Sequence, residues 1–277
     1  MTPMPIMTLD EMAARIADGS SVSIHKGDEA DVPMALMWAM VRRGLRDLHV
    51  VTLPTAAYPV SGMMMDILIG AGCVASVETS GISLHELGAA PRFSSAVKSG
   101  ALRVLDATCP AVYAGLNAGA KGQPFAPLRG LIGSDVQAQR NDYKIIDNPY
   151  IPGDRIVVVP AINPDVAIFH AEAADAEGNV WVGRDRDRIL AAHAARQTLI
   201  TVERVVEGSF FDDPLRSAGL VGAMHVDGIA VAPQGSWPLR ADGSCDLDEV
   251  RRYQRAAQSE EGFAQYVQAQ LAPGVSA

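Results

Sequence analysis

The chain has 277 residues, 48% hydrophobic and 20% charged, with a formal net charge of −9. That is enough apolar material for one large α/β domain and too much for a disordered chain, while the acidic balance argues against a nucleic-acid partner. Three scattered cysteines give no disulfide framework and no paired metal thiols, residues 1–7 lack the basic and apolar regions of a leader, and the longest apolar runs, such as 156–159, fall far short of the roughly 20 residues that span a bilayer, so a soluble, cytoplasmic protein away from the membrane is expected.

The chain then alternates helix and strand. Thr8 and Glu11 form a Thr-x-x-Glu capping box, and Leu9, Met12, Ala13 and Ile16 follow at helical spacing until Gly19. A short strand is expected at 22–24, a charged loop at 25–32, a helix at 33–43 stopped by Gly44, and a buried strand at 48–53. A methionine-rich helix at 63–69, a strand at 73–77, a helix at 91–99, a strand at 102–105 and a helix at 110–118 continue the pattern. The Gly/Pro-rich stretch 119–127 breaks it. Strands at 156–159 and 166–169, a helix at 187–195, strands at 198–202 and 229–232, and one long polar closing helix at 248–270 complete the chain. Such alternation implies a mainly parallel sheet covered on both faces. With no internal repeat and no evident linker, residues 1–277 read as a single domain.

Familiar signatures are missing. There is no GxGxxG, no phosphate-cradling lysine loop and no GxSxG elbow. His85-Glu86 opens like a zinc-protease helix, but Ala89 stands where the second histidine is needed. The six histidines show no ligand spacing, so no metal site is expected.

Several blocks, in order, carry a resemblance. Asp18-Gly19 and Pro33 bracket an apolar strand and a loop. Gly44-Leu45-Arg46-Asp47-Leu48-His49-Val50-Val51 follows, then Gly122-Gln123-Pro124-Phe125-Ala126-Pro127 and Gly133-Ser134-Asp135. Pro160, Asp165, Ala167, His170, Ala171, Gly178 and Asn179 mark a central block, and Ala232-Pro233-Gln234-Gly235-Ser236-Trp237-Pro238 a late loop. Together, over roughly residues 8–240, these resemble the A-type (alpha) subunits of family I coenzyme A transferases, and most of all those of the glutaconate CoA-transferase branch. His25-Lys26-Gly27 stands where that family has Gly-Gly-Phe, and Asp31 replaces a later glycine.

The resemblance implies a three-layer α/β/α sandwich of the CoA-transferase/ribose-5-phosphate isomerase-like kind. It implies transfer of CoA between an acyl-CoA and a small carboxylic acid, through a thioester on a glutamate. That glutamate usually lies in the beta subunit, in a Ser-Glu-Asn-Gly motif absent from this sequence. A beta-subunit partner, in a heterotetramer of two alpha and two beta chains, is therefore expected. No permanently bound cofactor is expected, the CoA thioester being a substrate.

Within this frame the loop 25–32 follows a strand's carboxyl end, the edge where α/β proteins bind ligands. Backbone amides around Gly27 could meet an oxyanion, and Lys26 a phosphate or carboxylate. The plainer alternative is a solvated loop with Asp31 capping the next helix. Glu78, Thr79 and Ser80 end another strand on the same edge, a stretch that faces substrate in the resembling proteins. Ser80 could donate to a carboxylate and Glu78 could act as base if burial raises its pKa; a salt bridge from Glu78 to an arginine is the alternative. His170 reads as a strand-end histidine, and the run 184–188 as a solvated helix entry. Two further functions stay open. One is a related ring-opening acyl-CoA hydrolase, whose alpha-chain glutamate would be expected just after 102–105, where Asp106 stands. The other is a non-enzymatic ligand-sensing domain of the same fold, for which no DNA-binding segment is seen.

Overall fold

The computed structural model of the chain describes residues 6–27 and 29–272; Asp28 of the charged loop and most of the stretch 1–7 lie outside the described residues. The first half alternates as expected: α1 (Leu9–Ala14), β1 (Ser21–His25), α2 (Met34–Arg43), β2 (Leu48–Leu53), α3 (Pro59–Gly70), β3 (Val74–Thr79), α4 (Pro91–Ser99), β4 (Arg103–Asp106) and α5 (Cys109–Ala120). Local chemistry sets these limits. Thr8 and Glu11 close the capping box on α1, and Gly44 and Gly100 end α2 and α4 in the left-handed conformation that their positions require.

The second half is less regular. It runs β5 (Phe125–Leu128), α6 (Asp135–Gln139), β6 (Lys144–Asp147), β7 (Arg155–Pro160), β8 (Val166–Asp175), β9 (Val180–Trp181), α7 (Arg186–Ala194), β10 (Gln197–Val206), β11 (Leu220–Val221), β12 (Gly228–Val231), α8 (Leu247–Ala256) and α9 (Glu260–Leu271). Three expectations need correction. The stretch 119–127 contains the start of a strand, and β5, β7 and β6 form a separate antiparallel sheet, so the strand expected at 156–159 does not join the main one. His170 lies inside a ten-residue strand rather than at its end. The single closing helix is two, because Ser259 accepts a hydrogen bond from the Gly262 amide (3.1 Å) and starts a new helix.

The main sheet runs β4-β3-β2-β1-β8-β10-β12, all neighbours parallel, with β9 and β11 added antiparallel along the far end of β8. Successive side chains enter different layers: Val50 joins the core beneath α1, α2, α3, α8 and α9, and Val51 the core beneath α5 and α7. This is a three-layer α/β/α sandwich. Met63, Met64 and Met65 are fully buried core filler.

Candidate functional site at the sheet's switch point

The strand order changes direction once. From β1 the chain builds outward through β2, β3 and β4, then returns to lay β8 on the other side of β1 and builds outward through β10 and β12. The helix that follows β1 (α2) and the one that follows β8 and β9 (α7) lie on opposite faces of the sheet, so a crevice opens beyond the carboxyl ends of β1 and β8. In open α/β sheets ligands bind at such a point. A cavity of about 470 Å³ lies there, with Glu29, His170, Trp181, Arg188 and Glu203 among its lining.

The residues at this crevice are tied together closely. His25, the last residue of β1, is 2% exposed; its Nδ1 pairs with Asp31, and its Nε2 lies 2.7 Å from Asp185 Oδ2. These are charge pairs rather than well-angled hydrogen bonds. Burial alone would lower the His25 pKa; the charges of Asp31 and Asp185 outweigh it and lift it to about 10, so the ring is an imidazolium at neutral pH. Asp185 caps α7 by accepting from the Asp187 amide (2.7 Å). Against burial, His25 and Arg188 hold the Asp185 carboxyl below the usual carboxylate range. Asp31 is fully buried and caps nothing: α2 begins after Pro33, with no side-chain cap.

Arg188 sits behind this pair. It donates to the carbonyls of His170 (3.1 Å) and Val182 (2.9 Å), and pairs with Glu29 (2.8 Å) and Asp185 (3.2 Å). His170 is itself fully buried, with Nδ1 2.8 Å from Thr201 Oγ1 and Nε2 2.9 Å from Glu203 Oε1. Glu203 also accepts the Gln234 amide (2.7 Å). The run 184–188, expected to be a solvated helix entry, thus places two of its charges inside the protein.

His25, Asp31 and Asp185 also have the composition of a metal-ligand set. They do not fit one ion. The two carboxylates face opposite ring nitrogens, which a single ion cannot engage together, and Arg188 Nε already occupies the side of Asp185 Oδ2. With Arg188 on Asp185, a protonated histidine already balances the two carboxylates without an ion.

Of the residues singled out from sequence, Lys26 and Gly27 form the turn directly after His25. Lys26 Nζ lies 3.4 Å from Asp187 Oδ2, and the same carboxylate accepts from the Tyr113 hydroxyl (2.5 Å). The Lys26 carbonyl accepts a short hydrogen bond from Ser61 Oγ of α3. Gly27 has φ of +81°.

Glu78, Thr79 and Ser80 are brought to the same edge of the sheet, two strands away, but not into contact with that turn. Glu78 pairs with Arg140 (2.9 Å), and burial keeps its carboxyl above the usual range in spite of that cation. Arg140 also grips Asp142 (2.7 Å) and lies 4.1 Å above the Tyr143 ring. Thr79 is buried and faces inward, its hydroxyl 2.7 Å from that of Thr52 and donating to the Gly81 carbonyl (3.0 Å), which fastens the ends of β2 and β3 together. Ser80 is exposed, donates to the Pro54 carbonyl (3.0 Å) and stands 3.7 Å from Cys109 Sγ at the start of α5. Asp106, where the hydrolase reading wants a glutamate, ends β4 with its carbonyl bonded to Arg140 (3.1 Å).

A doubly built parallel α/β sheet with a charged turn at its switch point and a polar strand end on the same edge has the layout in which α/β proteins bind ligands. Comparison with known proteins names its class: the model of the family "Coenzyme A transferase" matches residues 6–214, and the chain belongs to that family. It is 32% identical over 258 residues to the A-type subunit of a 3-oxoadipate CoA-transferase from Pseudomonas knackmussii, covering 90% of this chain and 86% of that one. It is 30% identical over 273 residues to a cholesterol ring-cleaving hydrolase IpdA subunit of Rhodococcus jostii, covering 94% and 90%. The crystal structure of glutaconate coenzyme A-transferase from Acidaminococcus fermentans superposes with a TM-score of 0.81 at 26% identity, over 96% of this chain and 88% of that one. The chain is thus a CoA-transferase of the alpha-chain type. No helix among the described residues is long and apolar enough to cross a membrane.

Proposed function

We propose that this chain, working as one domain, is the alpha subunit of a heteromeric, cytoplasmic CoA-transferase. It moves CoA between an acyl-CoA and a small carboxylic acid, with the acyl-CoA as substrate and no resident cofactor. A beta subunit supplies the glutamate on which the CoA thioester forms, in a complex of two alpha and two beta chains. The observation that supports this best is the pinned turn at Lys26–Gly27. At the sheet's switch point the Lys26 side chain is held by Asp187 of α7, its carbonyl by Ser61 of α3, and Gly27 takes the left-handed conformation, a setting where preorganised amides are most effective against a developing oxyanion. The sequence holds no Ser-Glu-Asn-Gly, in keeping with a nucleophile from the partner. Lys26 offers a cation for an anionic substrate group, and Ser80 an exposed hydroxyl.

The hydrolase reading has support from the IpdA likeness and from the raised pKa of Glu78. Its weakness is geometric: Glu78 is held by Arg140, and Asp106 is one methylene shorter than a glutamate.

The test is co-expression with a B-type partner and an assay of CoA transfer over a panel of acids. Borohydride trapping then locates the thioester by mass spectrometry. An adduct on a partner glutamate and acceptor-dependent turnover are expected, with the lone chain inactive. An adduct on Glu78, or turnover with water alone, would overturn the assignment.

A further inference from the structure

His25 stands where the resembling family has glycine, and in this chain it is built into a clasp. It is the last residue of β1, and Asp31 is the last polar residue before α2, so their contact joins the loop between them at its base. The other ring nitrogen reaches Asp185, the cap of α7. One side chain therefore fastens both ends of the loop to each other and to a helix 160 positions on in sequence (185 less 25). Among the described residues, the charged groups facing it come from two places: Asp31 from the loop, and Asp185 and Arg188 from the start of α7. Beyond them, Glu29 pairs with Arg188, and Lys26 with Asp187, which Tyr113 of α5 also holds. Burying charges without a counter-charge is costly; Asp185 has Arg188 as well as the ring, while among the described residues neither Asp31 carboxylate oxygen has a hydrogen-bond donor apart from this ring.

We infer that His25 is a positioning residue for CoA transfer: as an imidazolium clasped by Asp31 and Asp185 it sets the Lys26–Gly27 turn against the reacting carbonyl without touching substrate itself. This rests on the CoA-transfer reading above. A neutral ring would take the imidazolium charge away from Asp31, leave Asp185 to Arg188 alone and release the loop. In the folded chain the ring stays protonated until pH rises through about 10, so its stabilising contribution is complete below pH 6.5 and is lost as pH climbs from there through about 10. Asp185, held low, contributes fully above the ordinary carboxylate range and loses that contribution as pH falls below it.

The experiment uses the alpha–beta complex in steady-state CoA transfer. His25→Gln is expected to lower kcat at least tenfold at pH 7.5 with acyl-CoA KM changed less than twofold. The double variant His25→Gln/Asp31→Asn, which restores a neutral amide pair, is expected to recover most of that loss. The natural complex is expected to lose kcat as pH rises through about 10, and the double variant to lack that fall. If His25→Gln fails to assemble, Asp185→Asn decides, since its amide oxygen still caps α7; a fall in kcat of threefold or more is expected. A kcat within twofold of the natural complex in whichever of the two assembles overturns the inference. If the natural complex transfers no CoA to any acid tested, the underlying reading fails first and takes this one with it.

Discussion

Replacing Gly27 by alanine probes the turn with a single added carbon. At φ of +81° an L-residue pays about 1–2 kcal/mol for the left-handed conformation. The new Cβ would also lie 2.7 Å from Val32 Cγ2 and 2.8 Å from Ser61 Cβ. Neither neighbour can retreat freely: Val32 and Ser61 are fully buried, and Ser61 holds the Lys26 carbonyl. Overpacking of this kind adds about 1–3 kcal/mol. The total, about 2–5 kcal/mol, is within the roughly 5–15 kcal/mol of a folded domain, so the complex should still assemble with a lower melting temperature. The easier escape is a shift of residues 26–27 away from α3. That would move the amides off any oxyanion and lower kcat by roughly 10²-fold, the scale of one lost oxyanion donor. Acyl-CoA KM should change little, because remote binding energy lies elsewhere on the substrate. Steady-state kinetics and scanning calorimetry on the same complex give both numbers. Full kcat with the melting point lowered as expected would refute the reasoning and leave the turn a structural one.

Two further outcomes follow from groups away from the turn. Tyr253→Phe removes the hydroxyl that donates to Asp66 Oδ2 (2.7 Å) from α8 to α3, leaving a buried oxygen short of a partner. Chemical denaturation should show about 1–3 kcal/mol lost with kcat unchanged, and a loss of activity without a loss of stability would contradict it. Arg140→Met strips the cation from Glu78, whose carboxyl burial already holds above its ordinary value. The loss should be about 3–5 kcal/mol at pH 7. A carboxyl with a raised folded pKa costs stability as pH rises through that pKa, so the deficit should shrink on acidification as Glu78 takes up a proton. A deficit that grows below pH 6 would show the sign to be wrong.

How much of this is legible in the sequence depends on how local its cause is. The α1 capping box, Gly44 and the helix at 91–99 are written within a few residues of where they act. The small sheet escapes such reading because Pro127 argues against a strand; β5 tolerates it as an edge strand, paired only with β7. The break after Ala256 has a signal, Ser259 followed by two glutamates at a helix start, that the continuous polar pattern conceals. Lys26, Gly27, Glu78, Thr79 and Ser80 can be placed on one edge from strand ends alone. The clasp at His25 cannot be read. Asp185 and Arg188 look like surface charges in a mixed run, and only the laying of β8 beside β1 brings that run to the loop. Nothing in either segment advertises the other.

The pairing of β1 with β8 also bears on how the molecule is made. Ser21 at the start of β1 is bonded to Asp165 just before β8, a separation of 144 residues along the chain. At about 5–20 residues per second, synthesis leaves roughly 7–29 s during which the inner flank of an apolar strand has no neighbour. A nascent chain in that interval presents an open template for pairing with other chains. Slower growth at low temperature does not shorten the wait, but it thins the population waiting together. Yield of the folded chain should therefore respond more to expression rate than to the stability of the finished fold.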